Sequence, residues 1–453
     1  MSELEKPASA AAFPPGMHHA WLFSLFNGLS FQIVLGSPMI LYAKTLHASA
    51  TVLGIIAGMM PLLVIFQIPA VNYINRVGYK RFVLSGWGTR TVFIFGMALA
   101  PLTAGFLNAT TRLALMLMLL FGFNLVRGIS SCAWLPWITH LVPDTLRGKY
   151  VSRDAGMSNL GSFLTVLIAA TCLGQAPKPW QFSVIFAFSA AMGWVSLVFL
   201  NRVPDAPIPE EIRKSRHPVP WLAMLRHPPF QKLLRAVVSW SVAYGGMTAF
   251  VVAFLKTAAG MSDGKILFVT SVTFLGGLSS LWFLGPRLDH LGSRPVLLFS
   301  FIVWLAILAG WIAVAGGAVS AGLPLVLALE FLMGLFAALV GMAANRLAMA
   351  VIPPMGRNHF FALYSVFANV TLGLAPVGWG LLIDAVGEHQ AKWLGLAWNR
   401  YTVFFAAAAL AFFITLLMAR RLDEPEAVSM ETLLTRLLVE SPQRFWLRFW
   451  PRS

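Results

Sequence analysis

Twelve stretches of this chain are long enough and apolar enough to cross the hydrocarbon core of a lipid bilayer. A crossing helix needs roughly 20 mostly apolar residues, because about 30 Å of hydrocarbon is traversed at 1.5 Å per residue. Such runs fall at residues 18–42, 51–73, 82–105, 112–142, 155–174 and 181–203, then at 234–257, 264–288, 294–315, 321–352, 359–384 and 396–420. Composition agrees. Hydrophobic residues make up 58% of the chain and charged residues only 11%, where soluble domains carry about 25% charged residues. The expected fold class is an all-α membrane protein with twelve transmembrane helices.

A net charge of +16 would point to nucleic acid in a soluble protein. Its distribution points elsewhere. Of the 33 Lys and Arg, twenty-four lie on the N-terminus, the even-numbered inter-helix loops and the C-terminal tail, against seven on the opposite loops. Positive charge collects on cytoplasmic loops, so both termini are expected in the cytoplasm. The expected location of this multi-pass protein is a bacterial inner (plasma) membrane. Residues 1–17 hold Glu3, Glu5 and Lys6 without an apolar core, unlike a signal peptide. Cys132 and Cys172 lie in apolar runs and suggest neither a disulfide framework nor a metal cluster.

The chain divides into a cytoplasmic N-terminus (1–17), a six-helix bundle (18–203), a polar Pro-containing linker (204–233), a second bundle (234–421) and a tail (422–453). In the tail, Leu433, Leu434, Leu437 and Leu438 share one helical face, and basic residues alternate with aromatics from Arg444 to Trp450. That pattern predicts an interfacial helix on the inner leaflet.

The halves repeat each other. Asn75-Arg76-Val-Gly78-Tyr-Lys80-Arg81 follows the second run, and Asp289-His-Leu-Gly292-Ser-Arg294 follows the eighth. Lys44-Thr45 and Lys256-Thr257 close the first and seventh runs, and Pro143 to Arg147 matches Pro353 to Arg357. The three pairs share an offset of about 212 residues. A tight turn between helices requires glycine at positive φ, which predicts that conformation at Gly78 and Gly292. Asn75, Arg76, Gly78, Lys80 and Arg81, with Gly285, Asp289, Gly292 and Arg294, are candidate gating residues. Their polar contacts could hold one face closed.

These loops resemble the motif G-x-x-x-D-[RK]-x-G-x-[RK]-[RK] of the major facilitator superfamily, and the resemblance extends from the first run to the twelfth. The second copy keeps Gly285, Asp289, Gly292 and Arg294. The first has Val71 and Asn75 at the Gly and Asp positions while matching at Arg76, Gly78, Lys80 and Arg81. The resemblance implies two six-helix bundles, a central cavity lined by helices 1, 4, 7 and 10, and alternating access. It implies secondary transport of a small organic solute. Asn124-Leu-Val-Arg127-Gly128 matches the R-x-x-Q-G of the drug-exporter branch poorly.

Ionisable groups at membrane depth are costly and mark candidate sites. Arg127 suits an anionic group on a solute. Glu330 is the candidate protonation site, which suggests coupling to a proton. Arg90, in the third run, is expected to snorkel to the headgroups. Asn27, Gln32, Asn124, Tyr244 and Asn369 could add hydrogen bonds, or serve only as inter-helix ties. Two Arg against one Glu suggest an anionic or zwitterionic solute. The chain is expected to act as a monomer amid membrane lipid, without nucleic acid, cofactor or metal. No G-x-x-x-x-G-K-[ST], H-E-x-x-H or G-x-S-x-G motif is present, which argues against ATP hydrolysis and intramembrane proteolysis. The departures at Val71 and Asn75 leave open a transporter-like protein acting as an assembly or signalling partner.

Overall fold

A computed structural model of the chain describes residues 13–143, 146–206, 225–284, 292–351, 357–393 and 395–422. Among these, twelve helical segments are long and apolar enough to cross a membrane. They are α1 (His18–Thr45), α2 (Ala50–Ala70), α3 (Tyr79–Gly105), α4 (Ala109–Leu141), α5 (Tyr150–Leu173), α6 (Pro179–Arg202), α7 (Pro228–Thr257), α8 (Asp263–Trp282), α9 (Ser293–Ala315), α10 (Leu323–Met349), α11 (Leu363–Val386) and α12 (Arg400–Ala419). The tail helix expected from Leu433 to Trp450, most of the linker, Gly285 and Asp289 lie outside the described residues.

Two helices start five or six residues before the hydropathy reading. α7 begins at Pro228 rather than near 234, and α5 at Tyr150 rather than near 155. The helix that carries α5 extends back to Arg147. Hydropathy falls where Arg153 and Asp154 enter the sequence, but a helical backbone is indifferent to side-chain charge, so the helix continues and carries Asp154 with it. Several segments are interrupted. α1 breaks at Gly36 and α7 at Gly245 and Gly246, at equivalent places in the repeat. Pro61 lies three residues before the 3₁₀ turn Val64–Phe66 in α2, and its missing N–H leaves the Ala57 carbonyl without its helical donor.

By packing, the chain forms two compact units, residues 1–217 with 248–271 and residues 218–247 with 272–453. The stretch 248–271, which the sequence assigns to the second bundle, thus packs with the first. Gly264 N–H donates to the Gly174 carbonyl at 2.7 Å, and a Cβ at Gly264 would sit 2.8 Å from the Ala170 and Gly174 carbonyl oxygens. In the first unit α1 packs on α5 and α6, and α3 on α4 and α6. In the second, α7 packs on α11 and α12, and α9 on α10 and α12. The pairings are the same six helices later, so the sequence repeat is also a structural one.

α1 and α5 run parallel in close register. Ser24 meets Asp154, Gly28 lies against Ser158 and Gly161, and Thr165 Oγ1 donates to the Leu29 carbonyl at 2.7 Å. Small residues allow this approach, as is usual between membrane helices. The turns before α3 and α9 take one shape: Gly78 has φ 88°, ψ 153° and Gly292 has φ 80°, ψ 155°. The positive φ expected from the repeat is present at both.

Hydropathy gave no hint of a small hairpin before α12. Strands β1 (Ala391–Trp393) and β2 (Leu396–Trp398) pair antiparallel, with Ala391 opposite Trp398. The hairpin is tied to the end of α9 by Ala397 N–H to the Gly316 carbonyl (2.9 Å) and Asn399 Nδ2 to the Ala315 carbonyl (2.8 Å). The Asn399 side chain also caps α12, accepting from Tyr401 N–H and Thr402 N–H.

Candidate functional site

A cavity of about 210 Å³ opens within the first unit. α1 contributes Phe23, Ser24, Asn27 and Phe31, α3 Trp87 and Arg90, α4 Arg127, Ser131 and Trp134, and α5 Asp154 and Ser158. Three ionisable side chains on spanning helices therefore share one small space. Close packing places them. In the antiparallel pair α3 and α4, Gly86 lies against Ser130, Gly122 against Phe93 and Gly96 against Leu119. That register sets Arg90 level with Val126, beside Arg127.

Arg90 is 2% exposed. Its Nη2 donates to Asn27 Oδ1, and its guanidinium lies 4.7 Å from the Trp87 ring centroid and 5.7 Å from that of Phe123. The snorkelling expected of Arg90 is therefore corrected: the side chain turns inward because an amide and two aromatic faces receive it there. Arg127 is half-buried and presents its guanidinium to the cavity. The two cations are near enough to repel each other. Among the described residues no carboxylate lies within ion-pair distance of either. A guanidinium at bilayer depth costs roughly 3 kcal/mol on the lower scales. A desolvated cation–π contact returns about 2 kcal/mol, and among the described residues Arg127 has no ring contact of that kind.

Asp154 accepts hydrogen bonds from Ser24 Oγ and, at 3.5 Å, from Tyr150 Oη. Sequence reasoning missed this residue because its span was taken to start one residue too late. The available signal was a carboxylate one helical turn after Tyr150, on the face that presents Ser158 and Gly161.

A second cavity, of about 320 Å³, lies in the second unit between the equivalent helices α7, α9, α10 and α11. Its lining includes Trp240, Ser241, Tyr244, Phe301, Asn345, Tyr364 and Asn369 and, among the described residues, no Lys, Arg, Asp or Glu. At the offset of Gly78 to Gly292, Trp87 and Arg90 correspond to Phe301 and Trp304. At the offset of Arg147 to Arg357, Asp154 and Ser158 correspond to Tyr364 and Ala368. The repeat thus preserves the cavity while replacing Arg90 and Asp154 with aromatic residues. Trp240 and Tyr244 stack at 4.9 Å with 9° between planes, and Trp304 meets both edge-on.

The remaining sequence candidates disperse. Asn27 and Arg127 line the first cavity, and Tyr244 and Asn369 the second. Asn369 Nδ2 donates to the Ser365 carbonyl at 2.8 Å. Asn124 is buried and donates to the Leu120 carbonyl of its own helix at 3.0 Å. Gln32 folds against the break at Gly36. Glu330 is 1% exposed and lines neither cavity. Its Oε2 accepts from Thr273 Oγ1 at 2.6 Å, between α8 and α10. Of the gating candidates, Arg76 and Arg81 are exposed and Lys80 is partly so. Arg294 Nη2 donates to the Arg420 carbonyl at 2.8 Å, closing the C-terminus of α12. Only the backbone is described at Asn75.

The sequence model of the Major Facilitator Superfamily matches residues 20–280 and 246–450. No curated protein sequence matches the chain. Solved structures share its fold. The D-xylose-proton symporter superposes with TM-score 0.70 at 14% identity, over 91% of this chain and 98% of its own. An inward-open structure of the xylose transporter XylE from E. coli gives 0.66 at 16%, over 92% and 98%. The nucleoside transporter NupG gives 0.62 at 12%, over 89% and 99%. The family sequence model covers nearly all of the twelve-helix body: the chain belongs to the major facilitator superfamily.

Proposed function

We propose that this protein is a secondary active transporter that moves a small organic solute by alternating access, coupled to a proton, with the cavity of the first unit as its polar binding centre. The observation that carries this reading is the meeting of Arg90, Arg127 and Asp154, on spanning helices, around one cavity. Such groups are costly in a bilayer and are retained where a substrate or ion uses them. The names of similar structures, a proton symporter of D-xylose among them, are consistent with a small solute and a proton. The expected setting is a bacterial inner membrane with both termini cytoplasmic and a monomeric chain.

Reconstitution tests the reading. Proteoliposomes carrying the purified protein should accumulate a solute from a broad metabolite panel when an inward proton gradient is imposed. Arg127→Gln should lower that flux at least tenfold, a loss of about 1.4 kcal/mol or more. A panel that yields no flux with well-folded protein would count against transport.

A further inference from the structure

We infer that the first-unit cavity recognises a single compact oxyanion group, a carboxylate on a monoanionic solute, and that protonation of Asp154 and binding of this anion assist each other. The inference deepens the transport reading by naming the substrate class and the coupling residue.

The argument is a charge inventory. Arginine stays protonated under all relevant conditions, so Arg90 and Arg127 bring two fixed positive charges to the cavity lining. Neither has a carboxylate within ion-pair distance among the described residues. Asp154, on the same lining, supplies at most one negative charge, and its Oδ1 is engaged by Ser24 and Tyr150 rather than by an arginine. The cavity lining is therefore net positive in either state of Asp154. A zwitterion would leave that excess in place; a monoanion lowers it by one charge. A planar guanidinium such as that of Arg127 matches a carboxylate in two parallel hydrogen bonds. Arg90, held by Asn27 and Trp87, is a positioning charge behind it.

The sign of the coupling follows. An ionised Asp154 repels an anion at Arg127 across the cavity, and protonation removes that repulsion. Binding linkage is reciprocal, so the anion favours the proton on Asp154 as the proton favours the anion. Other groups around Asp154 do not reverse this. α5 itself adds Tyr150, which donates to Asp154, and Arg153, stacked on Trp21 and Phe13. α1 presents the non-titrating Ser24 and Asn27, with His19 at its N-terminal end. α3 and α4 present Arg90 and Arg127. α6 carries Arg202 at its C-terminal end, where it acts on His19. The carboxylate singled out from the sequence, Glu330, is bonded to Thr273 and does not line this cavity.

The test is calorimetric and thermal-shift titration of the full-length protein in detergent, from about pH 5.5 to pH 8, with acetate and benzoate as monoanions. Benzamide serves as the neutral control and glycine betaine as the zwitterion. Acetate or benzoate should bind more tightly as pH falls, by up to about tenfold per pH unit, while benzamide and glycine betaine bind at least tenfold more weakly. Arg127→Gln should abolish anion binding, and Arg127→Lys should retain it at about a tenth of the affinity. Asp154→Asn should bind the anions tightly at every pH, with the pH dependence gone. Binding of neither monoanion, equal binding of benzamide, or pH dependence that survives in Asp154→Asn would overturn the inference. Flux measured separately keeps the two readings apart. Flux with pH-independent or anion-indifferent binding ends this inference alone, and linked anion binding without any flux ends the transport reading alone.

Discussion

Glu330 and Asp154 are both carboxylates on spanning helices, and their neighbours give them different tasks. Glu330 is enclosed at a crossing where Gly334 meets the backbone of Thr273 and Gly276 that of Phe331, and its carboxylate accepts from Thr273. Glu330→Gln can keep that bond, so its stability should change by no more than about 1 kcal/mol, and the pH dependence of flux should be retained. Loss of that dependence would return the coupling role to Glu330. Thr273→Val leaves the carboxyl group without its donor, and thermal denaturation should show a loss of about 1–3 kcal/mol. Both carboxylates can be found in the sequence. What cannot be found there is which one meets a hydroxyl at a helix crossing and which one faces a cavity, because that depends on helix rotation and on the partner helix.

Glycine positions test the elements. Gly78 adopts φ 88°, ψ 153°, a region essentially closed to residues with a Cβ, yet a Cβ added there would meet nothing within 4 Å. Gly78→Ala should therefore cost about 1–3 kcal/mol from backbone strain alone, read as a lowered melting temperature. On α10 the contrast is steric. A Cβ at Gly334 would run into the Thr273 backbone, whereas one at Gly341 meets nothing within 4 Å. Gly341→Ala should be neutral or stabilising by up to about 1 kcal/mol, through helix propensity. Gly334→Ala should destabilise by about 1–3 kcal/mol through overpacking. Equal effects would mean that α8 and α10 do not touch there. The helices themselves were legible from hydropathy. Their ends were legible only where charge and helix end coincide, and α5 is the place where they part, because the helix runs on through Arg153 and Asp154.

For the whole molecule, the loop asymmetry of Lys and Arg predicts that reporters fused to the two termini lie on the same, cytoplasmic side. Fusions active only in the cytoplasm, such as a fluorescent protein, should function at both ends. A signal at one end alone would break the twelve-span count. The repeat was also visible in the sequence, through turn motifs at a nearly constant offset, and it returns as the same helix pairings in both units. Its consequence for function was not visible. Equivalent cavities carry Arg90 and Asp154 in one unit, where the other has Trp304 near its cavity and Tyr364 in the lining.

What the sequence determined by itself was the medium, the number of crossings and the duplication, because each rests on the cost of placing charge or bare backbone in hydrocarbon and is read along the chain. Tertiary structure alone decided which polar groups meet. Arg90, Arg127, Asn27 and Asp154 lie on four different helices, and their convergence depends on small-residue contacts such as Gly28 with Ser158 and Gly86 with Ser130. Those contacts set helix rotation and register, and no periodicity along a single helix records them.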